Sequence, residues 1–176
     1  MNEKMKKEIA RKTIHITGLA YIPALIFLGK DVMASAVIIV TLSAILFEFA
    51  RKKRKTVIDD FLREYEIKRV PGYIYTGVAF SIITPFFSTE ACMVSAIAAF
   101  AGDGVAGIVK RIKPELAIPA FILPCFPLIF LLNLNPVPAI ISIIISSLFD
   151  GRKWEDNFTV PLSSALSYWI LGIFIG

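Results

Sequence analysis

Charged residues are scarce in this sequence. Asp, Glu, Lys and Arg make up 19% of its 176 residues, against about 25% in a typical soluble domain. Hydrophobic residues make up 56%. The shortage of charge argues against an ordinary soluble domain and indicates an integral membrane protein.

Several kinds of site are excluded by what else is lacking. A single histidine, His15, cannot build a zinc site. The two cysteines, Cys92 and Cys125, fall in separate apolar segments without metal-ligand spacing, which predicts small packed side chains. The sequence has no GxGxxG dinucleotide motif, no GxxxxGK phosphate loop and no nucleophile elbow.

Long apolar segments account for most of the chain. A hydrocarbon core about 30 Å thick needs roughly 20 apolar residues per crossing helix, or fewer where partner helices cover the ends. Seven candidate segments are present, of which the sixth is short enough to be half-buried or re-entrant. They are Ile14–Gly29, Val32–Phe49, Pro71–Phe87, Ala91–Val109, Ala117–Leu132, Val137–Phe149 and Phe158–Ile175. We predict an all-α, polytopic bundle of about seven transmembrane helices that forms one integral membrane domain over residues 1–176.

The positive charges divide unevenly between the two sides of this bundle. If the segments alternate in direction, every Lys and Arg except Lys30 falls on one side, which predicts a cytoplasmic N-terminus and an external C-terminus. The basic run Arg51–Lys55 lies at a helix end and is attributed to topology, not to nucleic-acid binding. Apolar and charged residues alternate from Arg51 to Arg69, which predicts an amphipathic helix on the inner leaflet between the second and third helices.

Polar residues within or beside the apolar segments gather toward the predicted cytoplasmic ends. An ionisable group in lipid is costly and usually faces a partner or a watery cavity. These residues are Arg11, Lys12, His15, Glu48, Arg51, Tyr73, Tyr75, Asp103, Lys110, Arg111, Asp150, Arg152, Lys153, Asp156 and Asn157. The segment FDGRKWEDNFTVP, Phe149–Pro161, combines acids, bases and an amide that suit a magnesium ion and phosphates. Together with Asp103 it predicts one cytoplasmic pocket cut into the bundle.

Each of these groups also has a purely structural interpretation. Asp103 is either a site residue or the partner of a lysine or arginine in an ion pair. The glycines beside it, Gly102, Gly104 and Gly107, allow either close helix packing or the approach of a phosphate. His15 is either functional or a hydrogen-bonded core side chain. Glu48 and Arg51 are best explained by a salt bridge at a helix end.

Three motifs, read together, resemble those of a known family. They are RKTIHITG at Arg11–Gly18, GDGVAGIVKR at Gly102–Arg111 and WEDNFTVPL at Trp154–Leu162. In this order and spacing they resemble the membrane-embedded CTP-dependent lipid kinases, which include dolichol kinase, phytol kinase and the CTP-using diacylglycerol kinase. The segment YEIKRVPGYIYTG, Tyr65–Gly77, is similar to the family's entry into its middle helix. The resemblance implies transfer of the terminal phosphate of CTP to the hydroxyl of an isoprenoid alcohol or other lipid.

The resemblance also implies roles for particular residues. Asp103 and His15 are expected to be catalytic. Asp103 is expected to bind Mg²⁺ together with Asp156 and Asn157, and His15 to bind a phosphate or orient the hydroxyl. The residues expected to bind the nucleotide phosphates are Arg11, Lys12, Lys110, Arg111, Arg152 and Lys153.

Two other functions stay open at this point. The family's hydrophilic loop, with a lysine, a serine or threonine and a Glu-Gly pair, is not found, because KRIKPELAIP leads directly into the fifth segment. GDGVAGIVKR is also similar to the signature of archaeal CDP-archaeol synthases and related membrane cytidylyltransferases, which attack the α-phosphate of CTP. The third possibility is a non-enzymatic transporter or scaffold, in which the polar cluster binds an ion or a lipid headgroup.

Overall fold

The computed structural model describes residues 3–52, 69–151 and 155–175, and these ranges form helices and turns without a β-strand. The helices within them are α1 (Glu3–Ile16), α2 (Tyr21–Leu28), α3 (Lys30–Arg51), α4 (Gly72–Phe86), α5 (Thr89–Ala96), α6 (Asp103–Val109), α7 (Ala117–Ile122), α8 (Cys125–Leu131), α9 (Pro136–Ser147) and α10 (Asp156–Ile175). Short 3₁₀ turns occupy Thr17–Ala20 and Pro114–Leu116, and a π-helical turn occupies Ile97–Gly102. The prediction of an all-α fold is confirmed.

Four helical stretches in the described ranges are long and apolar enough to cross a membrane. They are Lys30–Arg51, Thr89–Val109, Pro114–Leu131 and Asp156–Ile175. The seven predicted segments all lie in largely helical chain, which is consistent with a bundle of about seven passes. The amphipathic helix predicted for Arg51–Arg69 falls mostly on residues 53–68, which lie outside the described ranges.

Local sequence explains where several helices begin and end. Gly29 has a φ of +78°, which favours glycine, and it separates α2 from α3. The Ser88 hydroxyl accepts a hydrogen bond from the Ala91 amide and so caps α5, whereas Asn135 caps α9 in the same way. Pro124 directly precedes α8, so the predicted segment Ala117–Leu132 is divided into two short helices.

The stretch Thr89–Val109 lies at the centre of the bundle. In its most apolar 18-residue window 83% of the residues are buried, against 17% in that of α3, which has an outer face of exposed apolar side chains. α10 packs on α4, α5 and α9, and α1 packs on α6. Cys92 and Cys125 are free and buried, as predicted. The only interruption of this central stretch is the π turn, which directly precedes Asp103.

Candidate active site

Asp103 lies at the start of α6, deep inside the protein. All six residues of the π turn before it are buried, and Asp103 itself is only 3% exposed. Single π turns within α-helices are frequent at functional sites because they shift the register of the side chains that follow. The Asp103 carboxylate thus lies directly after a π turn, among buried apolar and small residues.

Two side chains of α1 bind this carboxylate. Lys12 Nζ lies 2.7 Å from Asp103 Oδ2 and 3.1 Å from the Asp103 carbonyl oxygen. His15 Nε2 lies 3.2 Å from the same Oδ2 and 2.8 Å from the carbonyl oxygen of Ala99. Because a carbonyl oxygen only accepts, Nε2 of His15 carries a proton and donates it. The ion pair expected as one interpretation of Asp103 is therefore present, with Lys12 as its cation.

The second oxygen of Asp103 has different surroundings. Oδ1 is buried, and no group in the described part of the chain hydrogen-bonds to it. Asp103, Asp150 and Asp156 each offer an oxygen, and these oxygens lie within 4.8 Å of one another. Three carboxylates this close repel one another, and Lys12 and Lys110 offset part of that repulsion. A donor set made only of oxygens suits Mg²⁺. The residues therefore fit a divalent cation.

Asp150 lies between α9 and α10 and shows the effect of this crowding. Burial raises its pKa, and the carboxylates of Asp103 and Asp156 raise it further. Lys110 Nζ, 2.7 Å from Asp150 Oδ1, acts in the opposite direction. Lys110, expected to bind nucleotide, is thus an ion-pair partner of the acidic cluster of Asp103, Asp150 and Asp156.

The remaining predicted site residues divide into three groups. Asn157 adjoins the acidic cluster, and both its backbone amide and its side-chain amide donate to Asp156 Oδ1. Arg11 and Arg111 both approach Glu8, at 2.7 and 3.8 Å. Arg152 and Lys153 lie outside the described residues.

A large cavity opens beside this cluster. Its volume is about 790 Å³, and residues from α1, the 3₁₀ turn after it, α3 and α4 form most of its wall. Arg11, His15 and Asn157 supply its charged and polar side, whereas most of the remaining wall is apolar or weakly polar. A narrower cleft lined by Asp103 and Asp156 shares three residues with the cavity, which are His15, Thr76 and Asn157. The cavity therefore lies next to Asp103 and Asp156 at these three residues.

A second buried ion pair borders the cavity. Arg51 donates to both carboxylate oxygens of Glu48, at 2.6 and 2.8 Å, which confirms the predicted salt bridge at the end of α3. Tyr73 on α4 donates its hydroxyl to Glu48 Oε2 at 2.9 Å, and its ring lines the cavity. The ion pair lies within α3, and the hydrogen bond from Tyr73 joins the end of α3 to the start of α4.

The glycines around Asp103 serve close packing. A Cβ on Gly104 would overlap Ile16, and one on Gly102 would overlap Phe121. A Cβ on Gly107 would overlap Lys12 Cε, so the absence of a side chain there creates the channel through which Lys12 reaches Asp103.

Gly107→Ala is therefore expected to lower the free energy of unfolding by about 1–3 kcal/mol, as overpacked cores do. The Lys12 side chain is flexible, but moving it would break a buried ion pair. Gly172→Ala is the matched control, because a Cβ at Gly172 on α10 meets no atom within 4 Å. Thermal unfolding in detergent measures both, and equal unfolding temperatures would contradict the packing role of Gly107.

Sequence reasoning did not assign Asp150 to the cation site or Lys12 to Asp103. Asp150 is the first acid of the Phe149–Pro161 segment, so its closeness in sequence to Asp156 could have predicted that both belong to one cation site. The partner of Lys12 was not visible, because 91 positions separate the two residues.

Comparison of the chain with protein-family models, curated proteins and solved structures gives no match.

Proposed function

We propose that this protein is a membrane kinase that transfers the terminal phosphate of CTP to the hydroxyl of a long apolar alcohol of the isoprenoid class. The observation that carries the proposal is that a large, mostly apolar cavity shares His15, Thr76 and Asn157 with the cleft lined by Asp103 and Asp156 of the acidic cluster. Such a cavity suits the chain of an alcohol, and its polar side suits the hydroxyl. The assignment of CTP as the phosphate donor rests on the three sequence motifs. The distribution of Lys and Arg predicts that the site faces the cytoplasm.

The acidic cluster would hold Mg²⁺ through Asp103, Asp150 and Asp156. The bound cation would neutralise phosphate charge, which is its general contribution to phosphoryl transfer. Lys12 holds Asp103 in place, and Asn157 does the same for Asp156. Positioning and charge neutralisation account for most of the catalysis in reactions of this type.

His15 is the proposed proton acceptor. Its Nε2 proton is donated to Ala99 and Asp103, so in the neutral ring Nδ1 carries a lone pair. The alcohol oxygen would form a bond to the γ-phosphorus as the bond from that phosphorus to the CDP oxygen breaks. The hydroxyl proton would pass to Nδ1 of His15. A base oriented by a carboxylate is a recurrent arrangement for activating hydroxyl groups.

The function is tested with purified protein in detergent, Mg²⁺ and a mixture of prenyl alcohols and lipid phosphates. CTP is labelled in turn at the γ- and the α-phosphate, and the lipid phase is extracted. We expect label from the γ-phosphate in the lipid, with the acceptor identified by mass. Label from the α-phosphate would assign the protein to the cytidylyltransferases. No transfer from CTP or ATP by folded protein would favour transport or binding.

Filling the cavity is expected to reduce use of long acceptors. Ala44 on α3 lines the cavity, so Ala44→Trp should raise KM for a long prenyl alcohol by about tenfold through lost apolar burial. Leu46→Trp is the matched control, because Leu46 is 69% exposed and does not line the cavity. Initial rates measured against alcohol concentration give KM for both variants. An unchanged KM in Ala44→Trp would place the acceptor elsewhere.

A further inference from the structure

The Glu8 carboxylate lies between two arginines from different parts of the chain. Glu8 Oε1 is 2.7 Å from Nη2 of Arg11 on the same helix and 3.8 Å from Nη2 of Arg111, which follows α6. The Glu8 side chain is only 12% exposed. Two guanidinium groups therefore converge on one partly buried carboxylate oxygen.

The binding capacity of Arg11 is only partly used by this contact. Its Nη2 binds Glu8, whereas its Nε is buried and has no hydrogen-bond partner in the described part of the chain. A guanidinium group binds phosphate through two parallel N–H groups, and a single carboxylate oxygen does not satisfy both. The unpartnered Nε is a second, independent sign that this position is suited to a larger oxyanion.

The two arginines, Arg11 and Arg111, lie near the candidate active site because Arg11 is part of its wall. Arg11 lines the large cavity together with His15, which lies one helical turn further along α1 and contacts Asp103. A phosphate held by Arg11 and Arg111 would thus lie near the acidic cluster, as expected for one phosphate of a metal-bound nucleotide.

We infer that Glu8 is the internal occupant of a phosphate-binding site, where it holds Arg11 and Arg111 until a phosphate group displaces it. The assignment of that phosphate to the nucleotide rests on the proposed function, whereas the anion site itself does not. Glu8 then lowers the apparent affinity for phosphate, because an incoming anion must first compete with the carboxylate.

The test measures binding of inorganic tripolyphosphate to the full-length protein in detergent by calorimetry, at low salt and with EDTA. Glu8→Gln keeps the size of the side chain and removes its charge. We expect Glu8→Gln to bind tripolyphosphate about five- to tenfold more tightly than the wild type, the range for loss of a partly buried ionic competitor. Unchanged or weaker binding would overturn the inference.

Two further variants separate a local site from a general charge effect. Glu115→Gln removes an exposed carboxylate beyond α6 and should leave the affinity unchanged. In an Arg11→Gln background, the gain from Glu8→Gln should disappear, because these residues act on the same anion. Equal gains in Glu8→Gln and Glu115→Gln would refute the site. Tighter binding by Glu8→Gln without phosphoryl transfer by the wild type would support the anion site and reject the kinase.

Discussion

Asp103→Asn is expected to reduce phosphoryl transfer from CTP by about 10³-fold or more, the scale of losing a principal charged group at a phosphoryl-transfer site. Asn has the shape of Asp but lacks the negative charge that holds a divalent cation. The substitution also removes the charge that orients His15. Initial rates of label transfer measure the effect, and gel filtration in detergent checks that the variant is folded.

Asp31→Asn is the matched control, because Asp31 is exposed in the first turn of α3. The Asp31→Asn variant should transfer phosphate from CTP at the wild-type rate. Asp150→Asn distinguishes a metal role from a structural one: if Asp150 helps to hold the cation, this variant needs more Mg²⁺ for half-maximal rate. Full activity of Asp103→Asn at wild-type Mg²⁺ concentrations would remove Asp103 from the site.

Lys12→Met is expected to lower the free energy of unfolding by about 3–5 kcal/mol, as loss of one partner of a buried ion pair does. Lys12 is 3% exposed, and its loss leaves the Asp103 carboxylate buried with the longer contact to His15 as its one remaining ionic contact among the described residues. Met occupies a similar volume, so lost packing contributes little. Thermal unfolding in detergent, followed by tryptophan fluorescence, measures the change.

A double variant identifies the cause of that loss. Lys12→Met with Asp103→Asn removes both charges and should recover much of the stability lost by Lys12→Met alone, because no uncompensated charge stays buried. Lys7→Met, at an exposed position of α1, should unfold as the wild type does. If the double variant is less stable than both single variants, the buried charge is not the cause.

Much of the architecture was predictable from apolar segments alone. The all-helical fold and the long apolar helices follow from composition, because a membrane helix must satisfy its backbone internally and cover it with apolar side chains. The salt bridge between Glu48 and Arg51 was predictable for a similar reason, since the two residues are one helical turn apart.

The breaks within the predicted apolar segments could not be predicted from the sequence. The pattern of apolar residues does not predict the π turn at Ile97–Gly102, because the residues of the turn are as apolar as those of the α-helix around it. The break of Ile14–Gly29 at the 3₁₀ turn Thr17–Ala20 was missed for the same reason. Hydropathy reports which segments avoid water and does not report which backbone hydrogen bonds a residue makes.

Composition and hydropathy are enough to predict a helical chain with several segments suited to a membrane and a few polar residues whose placement costs free energy. The partners of those polar residues follow from the packing of the helices: Lys12 pairs with Asp103, Lys110 with Asp150, and Glu8 with two arginines. The reason is physical. Local periodicity determines which face of a helix a residue lies on, whereas an ion pair between distant residues depends on how helices pack, and that follows from the shape of the whole core.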